Sequence, residues 1–318
     1  MRAVKDVTRW ALLAVTFTAL AAGGVAWLLD ARAVADGCWI AGTVAALGPG
    51  VSGIREGDVV AVYGAETCGH CPACQEGRDN LCENVKGVRG FHLDGLLQER
   101  INLPARFAVP APSGVSVKDA ACAPVTYGTV EHMLFDNAKL KAGQTVLVQA
   151  GGSGMGAAAI QLAKAAGATV IATAGSDEKT AKAKALGADH VINYRSERFE
   201  GEVRKITKKR GVDVVFEHVG VDTFAGSMFS LRRGGTMVIC GSTTGISTEI
   251  NLFQLYQQQL RIIGSFGCSI RNVAEALRHM ADGIARPVID SEVPLADIDK
   301  ALTRMESRDV FGKILVTL

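Results

Sequence analysis

The chain of 318 residues is long enough for two domains, and a hydrophobic content of 48% supplies material for real cores. A formal net charge of +2 gives no reason to expect nucleic acid as a partner. Eight cysteines are too few for a disulfide scaffold of this size, and four of them fall within fifteen consecutive residues, a clustering that reads as metal chemistry.

Trp10 to Leu29 carries no charge, and as a helix it would span about 30 Å, the thickness of a hydrocarbon core. Arg2, Lys5 and Arg9 precede it, so the positive-inside rule would put the N-terminus in the cytoplasm. Three readings stay open: a single-pass membrane helix over residues 10–29, a signal peptide cut near Ala31-Arg32-Ala33, and an artefact of gene structure. Gly37 to Val62 then changes character, with small and β-branched residues and Gly/Pro signals that predict short strands joined by tight turns.

Cys68, Cys71, Cys74 and Cys82 follow, spaced x2, x2 and x7. Four thiolates can close round one tetrahedral Zn²⁺ and leave no position for water, so the predicted site is structural. His70, between the ligands, reads as a spacer. Phe91 to Pro112 is strand-like with proline breaks, and Val117 to Leu134 is patterned as a helix.

Gln144 to Lys179 carries the strongest local signal. Thr145 to Gln149 reads as a buried parallel strand, Ala150 to Gly156 as a glycine-rich turn, Ala157 to Ala166 as a helix and Thr169 to Thr173 as a second strand. Such a turn lets backbone N–H groups approach a pyrophosphate, and the helix N-terminus adds about half a positive charge. Gly152, Ser153, Gly154, Met155 and Gly156 are therefore expected to cradle a dinucleotide. The tip of the second strand selects which one. An NAD site usually places an acid there for the ribose 2′-OH, whereas this chain has Ala174, Gly175 and Ser176, with Lys179 one turn later. Ser176 and Lys179 can donate to a 2′-phosphate, which favours NADP(H), and Asp177 and Glu178 suit the first turn of the next helix.

Further strands are expected at His190–Asn193, Val212–Phe216, Thr236–Cys240 and Leu260–Ser265. Six strands alternating with helices make an α/β, doubly wound parallel sheet. Glu202 to Lys209 is an amphipathic helix whose charges read as a solvated face, Ala274 to Asp282 is one more helix, and Lys313 to Thr317 is a closing strand.

The runs GTVAALGPGVSGIREGDVV, AGGSGMG, AKALGADHVINY, VDVVFEHVG, GGTMVICGSTTG and FGKILV, with the four-cysteine lobe, resemble the medium-chain dehydrogenase/reductase superfamily from about Gly37 to Leu318. The resemblance implies a Rossmann domain inserted into a partial GroES-like β-barrel domain, with nicotinamide and substrate in the cleft between them. It divides the chain into an atypical segment 1–36, a partial GroES-like domain 37–125, a Rossmann domain 126–266 and a C-terminal return 267–318. It adds Thr129, Tyr194, Gly241, Ser242, Thr243, Phe266 and Lys313 as cofactor contacts and implies a homodimer. Glu217 and His218 would lie beside the nicotinamide half or simply bond neighbouring backbone, and Cys240 and Cys268 read as small buried apolar residues.

Departures from the family shape the expected chemistry. Members with catalytic zinc carry a GHE-like element where this chain has Gly37-Cys38-Trp39, and a Cys where it has Val125, with Cys122 three residues early. Catalytic zinc needs three protein ligands, so none is expected here. The AGGSGMG turn and the FEHVG and CGSTTG elements resemble zinc-independent quinone and enoyl reductases. The expected function is thus an NADP(H)-dependent oxidoreductase with a structural zinc. It would act on a small molecule with an activated C=C bond, a quinone or a related carbonyl, with no catalytic acid identified. Alternatives are an alcohol dehydrogenase and, because strands expected before Gly37 are missing, a cofactor-binding pseudoenzyme with a truncated substrate domain. A reductase with thiolate ligands is expected in the cytoplasm, with membrane anchoring through residues 10–29 as the competing reading.

Overall fold

The computed structural model describes residues 29–34, as backbone, and residues 40–318. The apolar run up to Leu28 lies outside the described residues, and among the described residues no helix is long and apolar enough to cross a membrane.

In chain order the strands are β1 (Leu29–Val34), β2 (Ile40–Val44), β3 (Val59–Val62), β4 (Ala108–Pro110), β5 (Thr145–Val148) and β6 (Thr169–Ala174). There follow β7 (His190–Asn193), β8 (Val212–Glu217), β9 (Leu231–Ile239), β10 (Arg261–Gly264), β11 (Ile289–Pro294) and β12 (Lys313–Thr317). They form two six-stranded sheets, each within one of two compact units.

The first unit comprises the described residues up to 128 together with 268–309 and 313–318. Its sheet runs β11-β12-β1-β2-β3-β4, antiparallel except between β11 and β12. β1 pairs on both sides, Leu29 with Val44 of β2 and Ala33 with Val316 of β12. The segment before Gly37 therefore supplies a central strand, which corrects the boundary drawn from the sequence. The reason it was missed is that Asp30 and Arg32 interrupt the apolar pattern at the end of a long apolar run. Ile40, Val60, Val62 and Val316, at 0% exposure, form the sheet's buried side chains. The helix predicted over Val117–Leu134 is broken. Ser116 Oγ accepts the Asp119 amide (3.1 Å) and opens a helix over Val117–Ala121. Pro124 (ψ 151°) and Val125 (φ 50°) then leave helical geometry before it resumes at Gly128–Glu131. Of the strand-like stretch Phe91–Pro112 only β4 pairs as a strand, while β11 and the helix Ile298–Glu306 were not read from the sequence.

The second unit comprises residues 129–267 and 310–312. Its sheet runs β10-β9-β8-β5-β6-β7 and is parallel throughout, so chain order reverses between β5 and β8. This is the doubly wound arrangement, whose ligand crevice opens at the carboxyl ends of the strands at that reversal. Leu147, Ile171, Ile192, Val215 and Met237 join Phe199, Val203 and Phe224 in one core. On the helix Gly154–Ala165, Ala157, Ala158, Ala159 and Ala163 are buried, and their small side chains allow close helix–strand packing. The β8–β9 register shifts sharply: Val212 pairs with Leu231 and Val214 with Thr236, so Arg232–Gly235 stand opposite the single residue Asp213.

Candidate cofactor site and metal centre

In the first unit, the ligand atoms of Cys68, Cys71, Cys74 and Cys82 all lie within 4.8 Å of one another. The Sγ–Sγ distances Cys68–Cys74 and Cys71–Cys82 are both 4.0 Å. Zn–S bonds of about 2.3 Å in a tetrahedron need sulfurs about 3.8 Å apart, so the four thiols fit that ion. Backbone builds the cluster. Amide N–H groups of His70 (3.5 Å) and Cys71 (3.3 Å) donate to Cys68 Sγ, and that of Cys68 donates to Cys82 Sγ (3.2 Å). The His70 and Cys71 donors hold the Cys68 thiol down at about 6, whereas burial pushes Cys74 up to about 12. His70 turns its Nδ1 to Cys68 O (3.0 Å) and stays a spacer. Arg106 clamps the lobe through the carbonyls of Cys68 (2.7 Å) and Thr67, and Asp79 accepts from the Ile270 amide (2.9 Å). No other group of three or more His, Cys, Asp or Glu among the described residues is placed to hold a metal. Cys122 is buried at 1% exposure, its thiol faces Lys118 O (3.7 Å), and burial pushes it up to about 12. Cys38 lies outside the described residues.

In the second unit, the predicted cofactor residues collect at the carboxyl edge of the parallel sheet. Ser153 caps the helix Gly154–Ala165 by accepting the Gly156 amide (2.9 Å). A Cβ on Gly156 would lie 2.7 Å from Gly151 Cα, so only glycine lets this turn close on its helix. A Cβ on Gly152 would meet Phe311 (3.2 Å) and Lys179 Cδ (3.3 Å), which places Lys179 against the turn. Gly312 donates its amide to Gly152 O (2.9 Å). The three residues Val310–Gly312 thus belong with this unit, not with the return segment as the sequence boundary had it. At the tip of β6, a Cβ on Gly175 would lie 2.5 Å from Tyr194 Oη, so Tyr194 is brought beside Gly175. Ser176 accepts the Lys179 amide (3.2 Å) and caps the helix Asp177–Ala185. Both nearby acids are engaged elsewhere. Asp177 accepts from Asn193 Nδ2 (2.8 Å), and Glu178 pairs with Lys182 (2.6 Å), which draws its carboxyl below the usual range.

The loops after β8 and β9 face each other. A Cβ on Gly220 would lie 2.9 Å from Ser242 Cα, one on Gly241 would lie 3.0 Å from His218 O, and Thr243 Oγ1 donates to Val219 O (3.2 Å). Thr129 is 3% exposed, and its hydroxyl has no hydrogen-bond partner among the described residues. Phe266, beyond β10, is 66% exposed. Lys313 is the exception: it opens β12 in the first unit, with its amide on Val288 O (2.9 Å).

Beneath this edge runs a polar network that sequence reasoning missed. Glu217, fully buried, accepts from the amides of Val219 (2.8 Å) and Gly220 (3.2 Å), from Thr223 Oγ1 (2.9 Å) and from Ser227 Oγ (2.6 Å). Gln149 Nε2 donates to Ser227 (3.0 Å), Thr173 Oγ1 donates to Gln149 Oε1 (2.7 Å), and the Ala150 amide donates to Thr173 Oγ1 (3.0 Å). This chain anchors Ala150, which sits at φ 47° at the mouth of the glycine turn, a region that costs a non-glycine residue about 1–3 kcal/mol. Of the two readings for Glu217, the backbone-bonded one is observed. His218 Nε2 lies 3.0 Å from Gln149 O, which only accepts, so Nε2 carries the proton. Burial also lowers the ring's pKa, leaving a neutral imidazole. The signal was present as three polar residues ending apolar strands: Gln149, Thr173 and Glu217.

A turn of this form on a parallel sheet, with a four-thiol lobe in a separate antiparallel unit, is matched by known families. Residues 154–282 match the zinc-binding dehydrogenase family, and residues 16–113 match the alcohol dehydrogenase GroES-like domain. The chain belongs to the medium-chain dehydrogenase/reductase superfamily. The GroES-like match begins at residue 16, so the family pattern extends before Gly37, where β1 supplies one strand. Among its relatives in this superfamily is the acryloyl-coenzyme A reductase of Metallosphaera sedula, 32% identical over 87% of this chain and 81% of that protein. The alcohol dehydrogenase of Geobacillus stearothermophilus is also 32% identical, over 86% of this chain and 80% of its own. The crystal structure of an NAD-dependent alcohol dehydrogenase superposes with a TM-score of 0.88 at 33% identity, covering 95% of each chain. The protein is accordingly an oxidoreductase of this superfamily acting on a small molecule.

Proposed function

We propose that the chain is an NADP(H)-dependent reductase of an activated carbon–carbon double bond, of the enoyl-thioester kind, with a structural zinc on Cys68, Cys71, Cys74 and Cys82. The observation that carries the reaction class is the metal chemistry of the chain's own donors. Cys122 is a buried protonated thiol bonded to Lys118 O, and Val125 stands where the resemblance to zinc-type members would place a cysteine ligand. An alcohol dehydrogenase of the zinc type needs an open site with three protein ligands. Relatives named acryloyl-coenzyme A reductase and crotonyl-CoA reductase support the same class.

Cofactor choice rests on the tip of β6. Asp177 accepts from Asn193 and Glu178 pairs with Lys182, and Lys179 beside Gly152 is placed to receive a 2′-phosphate. The turn Gly152–Gly156 takes the pyrophosphate, Tyr194 covers the adenosine end beside Gly175, and Gly241–Thr243 line the loop facing His218. Thr129, with its buried unpaired hydroxyl, supplies a further donor. When bound, the reduced nicotinamide supplies a hydride to the electron-poor β-carbon, and the α-carbon takes a proton. His218 does not give that proton, since its only N–H is held by Gln149 O.

The test mixes zinc-replete protein with NADPH and acryloyl- or crotonyl-coenzyme A, and separately with NAD⁺ or NADP⁺ and simple alcohols. Thioester-dependent NADPH oxidation supports the proposal. Alcohol oxidation with no turnover of either thioester would overturn it and favour the alcohol dehydrogenase reading.

A further inference from the structure

At the opposite, amino end of the second unit's sheet lies a cavity of about 460 Å³ lined by Arg204, Lys209, Arg210, Arg232 and Arg233 over the buried Leu231. Five cations here contrast with a net charge of +2 for the whole chain. The acid in their midst is Asp213, 4% exposed, which takes Arg210 (2.8 Å) and Arg232. The two acids of the neighbouring helix Phe199–Ile206 pair elsewhere, Glu200 with Arg198 (2.7 Å) and Glu202 with Lys205 (2.5 Å). Arg204 lies over the Phe229 ring (5.6 Å), and Lys209 and Arg233 are exposed with no carboxylate partner among the described residues.

Two local irregularities hold these cations together. Arg232 and Arg233 ride on the bulge that sets Arg232–Gly235 against Asp213 alone, and bulges re-aim side chains. Facing them, Lys208 (φ 50°) and Lys209 (φ 67°) are consecutive left-handed residues where a helix end normally carries glycine. A Cβ on Gly211 would lie 2.7 Å from Arg232 N, so glycine is needed for this loop to press against the bulge. Backbone strain and uncompensated like charge both oppose folding, and a concave wall of one sign concentrates anions. The helix C-terminus accounts for part of the charge, since the Lys209 amide caps Arg204 O (2.6 Å). It does not account for Arg233, which is carried by the sheet.

We infer that this cavity is a second ligand site, for a small multivalent phosphate such as a di- or triphosphate group. The three cations not held by Asp213 match a guest of about three negative charges, and a half-open concavity of this volume suits a small molecule over a flat macromolecular surface. β8 separates this end of the sheet from the glycine turn by about 20 Å at 3.3 Å per residue, so the site is distinct from that of the dinucleotide. The charges of this helix, read from the sequence as a solvated face, acquire a partner in the bulge.

Isothermal titration of the full chain with inorganic pyrophosphate, at matched ionic strength, tests this. One pyrophosphate should bind per chain, more tightly than sulfate, and equally well with and without saturating NADPH. The double variant Lys209→Gln/Arg233→Gln should bind roughly a hundredfold more weakly, about tenfold per cation. A control removing the same charge elsewhere in this unit, Lys139→Gln/Lys141→Gln, should bind as the parent does. The double variant should also melt higher than the parent in low salt without anion, because repulsion is relieved, and that readout survives if affinity is hard to measure. Absence of saturable binding, equal binding by the double variant, or loss of binding on adding NADPH would each overturn the inference. So would binding of a long polyanion such as heparin with none of pyrophosphate, which would mark a macromolecular surface instead.

Discussion

The cysteine lobe draws its four thiols from fifteen consecutive residues, whereas the carboxyl edge of the parallel sheet is assembled from stretches scattered between Thr129 and Gly312. In the lobe, the amides that aim the sulfurs belong to residues within the same short loop. At the sheet edge, the amide of Ala150 is fixed by Thr173, which bonds Gln149, which bonds Ser227, which bonds Glu217 on a fourth segment. A guest bound by the lobe replaces cohesion the loop lacks, so losing it should undo the loop. The sheet edge already carries its own cohesion in buried hydrogen bonds, so its guest is expected to be exchangeable. That contrast suits a structural ion in one place and a redox cofactor in the other.

The sharpest way to break the comparison is to remove one thiol. Cys71→Ser should lose the zinc, about one ion per chain by elemental analysis, and lower the melting temperature by 10 °C or more. Loss of a structural metal costs several kcal/mol, each worth about 2–4 °C in a domain of this size. NADPH affinity should survive. Folded, reductant-protected parent protein without zinc would remove the assignment.

Next in size is the network. Glu217→Ala strands two amides and two hydroxyls, and each buried donor left unpaired costs about 1–3 kcal/mol, so calorimetry should show a large loss of stability. Glu217→Gln keeps an acceptor oxygen and should lose much less. If Glu217→Ala melts like the parent, the edge is not held from beneath.

Lys179→Ala should weaken NADPH by roughly ten- to a hundredfold, about 1.5–3 kcal/mol for one charge-assisted phosphate bond, and leave NADH nearly unchanged. Equal losses for both cofactors in fluorescence titration would mean that Lys179 does not read the 2′-phosphate.

The smallest effect expected is a slope with pH. Burial lowers the pKa of His218 below its ordinary value of about 6.5, so between the two values the unfolded chain binds more protons. Its contribution is therefore present above pH 6.5 and lost as pH falls through the lowered value. Asp213 adds a second loss further into acid. Burial works to raise its pKa, but Arg210, the Thr145 amide and Arg232 outweigh it and hold the carboxyl below the ordinary range. Replacing His218 with Asn should flatten the first slope in denaturant titrations and leave the second.

Much of this molecule is legible in its amino-acid sequence. The six parallel strands were read because they are short apolar, largely β-branched runs, several of them followed by an Ala-rich or charged helix, and the zinc lobe because its ligands are close in sequence. β1 was not, since its apolar lead-in mimics a membrane segment and only pairing with β2 and β12 identifies it as a strand. The kink at Pro124–Val125 was hidden by helical patterning on both sides.

By itself, then, the sequence determined the local units: strand periodicity, the glycine turn, the ligand spacing and the missing acid at the tip of β6. All depend on residues close enough in the chain for backbone geometry to relate them. Tertiary structure alone decided where Asp177 and Glu178 turn, which donors Glu217 and Gln149 serve, and that Val310–Gly312 returns to the glycine turn. It also set Arg232 and Arg233 against Lys209. Those contacts join residues many positions apart, and a buried polar group's partner is fixed by what folding brings within about 3 Å, which no local pattern encodes.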